Sequence, residues 1–302
     1  AGRKEMKHNV VFASPQTLVN ALDKISNQFA AVVIDEAHGL TSTLLKIIDH
    51  MRPLNPSIRI VGMTATPFRM YSGEIYGESK DKLFKTLIYK KRIDELVNSG
   101  YLCQLRAVVT DPKAVADISA VRKGKNDFIQ KDLDEATAVD SIVESIVADW
   151  LNKTSANLPT VFYASSVNQG VLFSQCLTEY GFDFPLITAQ TPKTQRTDYL
   201  QQFEQGQLNG LINIATLTTG WDAPRLACIV NARPTASTSL FLQILGRGLR
   251  LHPSKGETLL LDYGQNLERF GVVERVKPEL EDRLYHDEQA LVTSCDVCDT
   301  VV

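Results

Sequence analysis

Apolar positions along this chain alternate between two rhythms. Val10 to Phe12, Ala31 to Ile34 and Ile58 to Met63 are short apolar runs, as expected of buried strands. Between them, Leu18, Leu22 and Ile25 recur at three- and four-residue steps and predict a helix over Thr17 to Ile25. A second helix is predicted over Thr43 to Asp49. Ile93, Leu96 and Val97 share one face of a short helix over Arg92 to Ser99, stopped by Gly100. Residues 110 to 135 are charged and poor in apolar positions, and read as a linker or an exposed excursion. Ile142, Val143, Ile146, Val147 and Trp150 then form a clean amphipathic stripe.

A second series follows the same rhythm. Strands are predicted at Thr160–Ala164, Pro185–Thr188, Leu211–Ala215, Leu226–Ala232 and Glu257–Asp262. Helices are predicted at Gly170–Tyr180, Thr194–Glu204 and Ser239–Leu245. Strands alternating with helices imply parallel sheets with covered faces, so the fold class is α/β, in two similar halves. The expected domains are 1–105, a linker over 106–140, a second domain over 141–265 and a polar tail over 266–302. The chain lacks an initial Met and reaches a strand-like run within about ten residues, as expected of a piece of a longer protein.

Composition narrows this little. At 302 residues, with 44% hydrophobic and 22% charged positions, the chain resembles an ordinary two-domain globular protein. No apolar run approaches the length of a membrane span, and no signal peptide is visible, so no membrane partner is expected. A net charge of −3 gives no global basic footprint, so any nucleic-acid contact must come from local basic and amide groups. Cys103, Cys176 and Cys228 sit in apolar contexts and read as reduced core residues, which implies a cytoplasmic setting.

The chemistry concentrates at strand ends. Val32-Val33-Ile34 runs into Asp35-Glu36-Ala37-His38, placing two carboxylates at the carboxyl end of a strand, where open α/β sheets form ligand crevices. An Asp there can hold Mg²⁺ beside a nucleoside triphosphate, and a Glu can orient or deprotonate a water. The next strand ends in Thr64-Ala65-Thr66-Pro67, a stiff hydroxyl-bearing turn. In the second half, Thr218-Thr219-Gly220-Trp221-Asp222-Ala223-Pro224 follows a strand, and Gln243-Ile244-Leu245-Gly246-Arg247-Gly248-Leu249-Arg250 sets two arginines on one helical face. Arginine suits the charge of a transferring phosphoryl group.

These four motifs, in this order across two α/β halves, resemble the superfamily-2 DEAD/DEAH-box helicases, closest to the bacterial RadD (YejH)-like type. Type I and III restriction translocases are a near second. The resemblance covers nearly the whole chain. It implies two RecA-like parallel-sheet domains, the first incomplete at its N-terminus, and an ATP-dependent helicase or translocase acting on single- or double-stranded DNA, with RNA as the less favoured substrate.

The resemblance also assigns roles. Asp35 would bind Mg²⁺, Glu36 would polarise the attacking water, and His38 would couple the nucleotide to the second domain. Thr64 and Thr66 would link hydrolysis to nucleic-acid movement. Gly220 and Asp222 would approach the nucleotide, and Gln243, Arg247 and Arg250 would complete the site. Ser14, Ser165, Ser166, Thr188 and Thr218 fall where the family contacts a sugar-phosphate backbone, though such residues are often helix caps. ATP would lie in a cleft between the halves, and their alternate closing and opening would move the chain along a strand.

Two features depart from the pattern. The phosphate-cradling G-x-x-x-x-G-K-[ST] loop is absent from the sequence, and only 34 residues precede Asp35. The 302-residue chain alone is therefore expected to show little or no ATPase activity. Cys295-Asp296-Val297-Cys298 is half of a Zn²⁺ site, which needs four ligands. The competing reading is an inactive two-domain nucleic-acid-binding or interaction module that carries the motifs without using them.

Overall fold

The computed structural model describes residues 8–69, 73–125, 127–215 and 221–271. The chain divides into two compact units, residues 1–90 and 91–302.

In the first unit, α1 (Pro15–Leu18) is capped by Ser14 and passes into a 3-10 turn over Val19–Lys24, with a kink at Ala21. Strand β1 (Ala31–Ile34) and strand β2 (Arg59–Gly62) pair in parallel, with Ala31 opposite Arg59 and Ile34 opposite Gly62. They are joined by α2 (Ser42–Leu54), whose N-cap Thr41 accepts from the Leu44 amide. One face of α2 carries the buried Ile47, Ile48 and Met51. These pack with Ile25, Leu22, Phe29 and Val32 in one cluster and with Ile34, Ala37 and Phe84 in another. The short antiparallel pair β3 (Phe68–Arg69) and β4 (Gly73–Glu74) follows.

Val10–Phe12 does not form the predicted strand. No strand among the described residues pairs with it, and Val10 and Phe12 are exposed. An apolar run without a ladder partner leaves its backbone donors and acceptors to water.

The second unit begins with α3 (Ile93–Asn98) and holds a six-stranded, all-parallel sheet. Its strands are β5 (Gln104–Val108), β6 (Thr160–Tyr163), β7 (Leu186–Ile187), β8 (Gly210–Asn213), β9 (Cys228–Asn231) and β10 (Glu257–Asp262), in the order β5-β10-β9-β6-β8-β7. Helices α4 (Gln130–Thr137), α5 (Asp140–Thr154), α6 (Val167–Glu179), α7 (Lys193–Glu204), α8 (Thr238–Gly248) and α9 (Asn266–Phe270) connect and follow them.

Successive strand residues point to opposite faces, and each face has its own core. Phe162, Val230 and Leu261 face Trp150 of α5 and Phe173 and Leu177 of α6. Val161, Ile229 and Leu260 face Phe203 of α7 and Phe241 and Leu245 of α8. Trp150 stands edge-on to Phe162 and Phe184, with ring centroids 5.2 and 5.8 Å apart. Gly210 lies against the Phe184 ring, where a Cβ would come within 2.0 Å of it.

The stretch expected to be a linker is built into this unit. Gln104–Val108 is an edge strand parallel to β10, with Arg106 Nε donating to Glu257 Oε1 at 2.8 Å. Helix α4 docks through Gln130 Nε2, which donates to the Ser165 carbonyl at 2.7 Å, and through Asp134, which accepts from Asn168 at 2.6 Å.

Candidate functional site

The acidic turn follows directly from β1. Asp35 and Glu36 are both exposed, and Asp35 Oδ1 accepts from the Glu36 amide at 2.9 Å. Glu36 has φ 49°, a left-handed conformation that costs a non-glycine residue about 1 kcal/mol. The reversal is fixed on both sides. The Met63 amide donates to the Ile34 carbonyl (2.8 Å), the Ala37 amide to the Met63 carbonyl (2.9 Å) and the Gly39 amide to the Glu36 carbonyl (2.8 Å). Gly62 makes room for this junction, since a Cβ there would meet the Phe84 ring at 2.5 Å and Ala37 Cβ at 2.8 Å.

His38 ties this turn to the next one. Its Nδ1 lies 2.9 Å from Thr64 Oγ1 and 3.3 Å from Glu36 Oε2. Thr64 Oγ1 donates to the Thr66 carbonyl (3.1 Å) and accepts from the Thr66 amide (3.0 Å). A hydroxyl has one proton, so the contact with His38 is satisfied when Nδ1 carries the hydrogen. That same N–H then faces the Glu36 carboxylate. His38 and Thr64 thus join the two strand ends through a hydrogen bond, with the Glu36 carboxylate beside His38 and the buried Thr66 bonded to Thr64.

In the second unit, Ser237 caps α8 by accepting from the Leu240 amide, and the helix carries Gln243 and Arg247 one turn apart. Arg247 is 8% exposed, and its guanidinium donates to the Trp221 carbonyl. Arg250, just past the helix, donates to the same carbonyl at 3.0 Å and pairs with Asp222. Trp221 is buried edge-on to Phe203 at 5.8 Å, which fixes the carbonyl both arginines share. Asp222 is exposed, and its charge together with burial holds the Glu204 carboxyl above its ordinary range, burial being the larger cause. Burial likewise pushes the Tyr163 phenol up, against a smaller opposing pull from Arg247 and Arg250.

The expected backbone contacts are placed unevenly. Ser14 caps α1 by accepting from the Thr17 amide at 3.3 Å. Ser165 is 1% exposed, and its hydroxyl bonds Thr137 Oγ1 at 2.5 Å and Gln169 Oε1 at 3.0 Å. Ser166 caps α6 through the Gln169 amide, and Thr188 Oγ1 accepts from the Gln190 amide. Each hydroxyl has a scaffold partner. Thr218, Gly220, Cys295 and Cys298 lie outside the described residues. Among the described residues, no group of three or more His, Cys, Asp or Glu side chains is placed to hold a metal ion, and no helix is long and apolar enough to cross a membrane.

Sequence patterns did not single out Asp127, although Asn126-Asp127 is a turn signal. Its carboxylate accepts from the Ala236 amide (2.7 Å), Thr235 Oγ1 (3.0 Å) and Arg233 (3.3 Å), just beyond β9.

Comparison with known proteins fits this arrangement. A helicase conserved C-terminal domain model matches residues 141–252, and a model of the type III restriction enzyme res subunit matches residues 1–69. A Saccharomyces cerevisiae protein named as an ATP-dependent helicase, IRC3, is 30% identical over 261 residues, covering 84% of this chain and 37% of the relative. A Schizosaccharomyces pombe protein named as a mitochondrial ATP-dependent helicase, irc3, is 26% identical over 248 residues, covering 81% and 39%. The chain therefore spans less than two-fifths of the length of these relatives. A solved fragment of a type I restriction enzyme HsdR subunit from Vibrio vulnificus shares the fold, with a TM-score of 0.62 and 21% identity over 86% of this chain and 49% of that one. The helicase and restriction-enzyme family models and the helicase relatives support a superfamily-2 helicase.

Proposed function

We propose that this chain is part of an ATP-driven nucleic-acid translocase acting on DNA, of the RadD-like type. The observation that carries the reading is the His38–Thr64 hydrogen bond with Glu36 beside it, which links an acidic strand end to a hydroxyl-bearing one. Mg²⁺–ATP supplies, when bound, the phosphoryl transfer to water that drives movement. Asp35 offers hard oxygen ligands for the ion, as Mg²⁺ requires. Glu36 is exposed and positioned to orient a water or accept its proton. Arg247 and Arg250 offer guanidinium charge to phosphate, with Gln243 beside them on α8.

The acidic half of the machinery fits its ligand, and the phosphate cradle does not. No G-x-x-x-x-G-K-[ST] loop occurs in the sequence, so the β- and γ-phosphates lack the amides and lysine that hold them in P-loop motors. We expect the 302-residue chain to bind nucleic acid without sequence preference and to turn over little or no ATP. Fluorescence anisotropy with labelled single-stranded DNA, and phosphate release beside a Glu36→Gln control, test both halves. Turnover above that control removes the inactivity. No binding of DNA or RNA at low salt removes the translocase reading. The restriction-enzyme match over residues 1–69 favours a second reading, the motor part of a restriction-type translocase.

A further inference from the structure

We propose that the cavity at the amino-terminal ends of β6, β9 and β10 binds a small organic phosphate, a phosphate monoester carried on an apolar body. The inference concerns the second unit alone and does not depend on the nucleic-acid reading above.

The cavity has a volume of about 470 Å³, within the range of small-molecule sites. Pro159 precedes β6, Ala227 precedes β9 and Gly256 precedes β10, so it opens on the amino-terminal edge of the sheet. Open α/β sheets place their nucleotides at the opposite, carboxyl ends, so this is a different site. Leu158, Pro159 and Leu259 give it an apolar wall. Arg106 enters from the edge strand β5, Arg225 from the segment before β9, and Lys255 from the turn before β10.

Two of these cations are held by neutral oxygens. Lys255 Nζ donates to the Leu226 carbonyl, to the Gly248 carbonyl at 2.7 Å and to Thr258 Oγ1 at 3.1 Å. Arg225 donates to the carbonyls of Phe203 and Leu208 at 3.0 and 3.1 Å and to Asn209 Oδ1 at 3.4 Å. Among the described residues neither forms a salt bridge. Burial pushes both below their ordinary pKa. Glu204, at the end of α7, opposes this at Arg225, but burial holds its own carboxyl above the ordinary range. Arg106 gives Nε to Glu257 Oε1 at 2.8 Å, which leaves its two terminal nitrogens for a ligand. Arg106, Arg225 and Lys255 carry three positive charges and Glu257 one negative charge, so the lining is +2 in net charge. A phosphate monoester, close to a dianion at pH 7, matches that charge better than a carboxylate does. Guanidinium forks suit phosphate oxygens, and the apolar wall suits the organic part of the ester.

The test is calorimetric titration of the 302-residue chain with phenyl phosphate, inorganic phosphate and benzoate, without Mg²⁺. Phenyl phosphate is expected to bind about tenfold more tightly than inorganic phosphate, because its ring leaves water for the apolar wall. Benzoate, a monoanion, is expected to bind more weakly than phenyl phosphate. Arg106→Gln removes a charge-assisted donor pair and is expected to weaken phenyl phosphate binding about tenfold or more. Asn157→Glu, an exposed change at the rim, adds a carboxylate and is expected to weaken it in the same direction with an unchanged thermal melt. No saturable binding of phenyl phosphate at about 10 mM, where a millimolar site would be filled, overturns the proposal. So does an affinity that is unchanged in both variants. Benzoate binding as tightly as phenyl phosphate overturns the choice of a dianion. Binding lost in Arg250→Gln but kept in both cavity variants assigns the phosphate to the arginine-bearing turn and overturns the cavity.

Discussion

Two strands of similar composition end up in opposite surroundings. β1, Ala-Val-Val-Ile, leaves Val33 60% exposed, whereas in β6, Thr-Val-Phe-Tyr, Val161 and Phe162 are both fully buried. Among the described residues, β1 has one ladder partner, β2, and is covered by α2 and the Val19–Lys24 turn. β6 lies between β8 and β9, under helices on both faces. Burial of an apolar strand is set by how many layers surround it, which local sequence does not encode. The catalytic candidates of the first unit sit at the end of the thinly covered strand, whereas the arginines of the second sit on and just past α8, a helix packed on the enclosed sheet.

Changes in the enclosed sheet should cost most. Trp150→Ala empties a site packed against Phe162 and Phe184 and is expected to cost about 3–5 kcal/mol in denaturant unfolding. A cost below about 1 kcal/mol would break the comparison.

Next comes Asp262 at the end of β10. Burial raises its carboxyl to about 6, against donors from Leu267 and Asn266 that pull it down. The folded protein therefore binds this proton more tightly than the unfolded chain. The stabilisation is full below about pH 4 and is lost as pH rises to about 6, at most about 3 kcal/mol. The difference in melting temperature between wild type and Asp262→Asn should change across that window and flatten above it.

Gly210→Ala drives a methyl into the Phe184 ring and should cost about 1–3 kcal/mol, read from the same melts. Val33→Ala in the open strand should cost less than about 1 kcal/mol. If it costs as much as Trp150→Ala, β1 is covered in solution.

The alternation of strands and helices, and the acids at the end of β1, were legible because apolar period and strand end are local properties. Helices α2, α6 and α7 are found close to their predicted spans for the same reason. β5 was not legible: Arg106 interrupts its apolar run, and β10, the strand it pairs with, lies far along the chain. Val10–Phe12 shows the reverse error, a strand-like run with nothing to pair with among the described residues. The left-handed backbone at Glu36 and the shared Trp221 carbonyl depend on contacts between elements, and no spacing announces them. Nor does it announce that the Ser165 hydroxyl is buried.

The placement of β5 also bears on how the protein is made. Gln104 pairs with Glu257, and among the described residues β5 sits at the sheet edge beside β10. A ribosome adding about 5–20 residues per second needs roughly 8–30 s to reach β10 after finishing β5. Through that interval Leu105, Ala107 and Val108 have no ladder to join, so the nascent chain carries an open strand edge until its partner emerges. The alternating Gln104 and Arg106 keep that waiting strand polar on one side, which discourages pairing with other nascent chains.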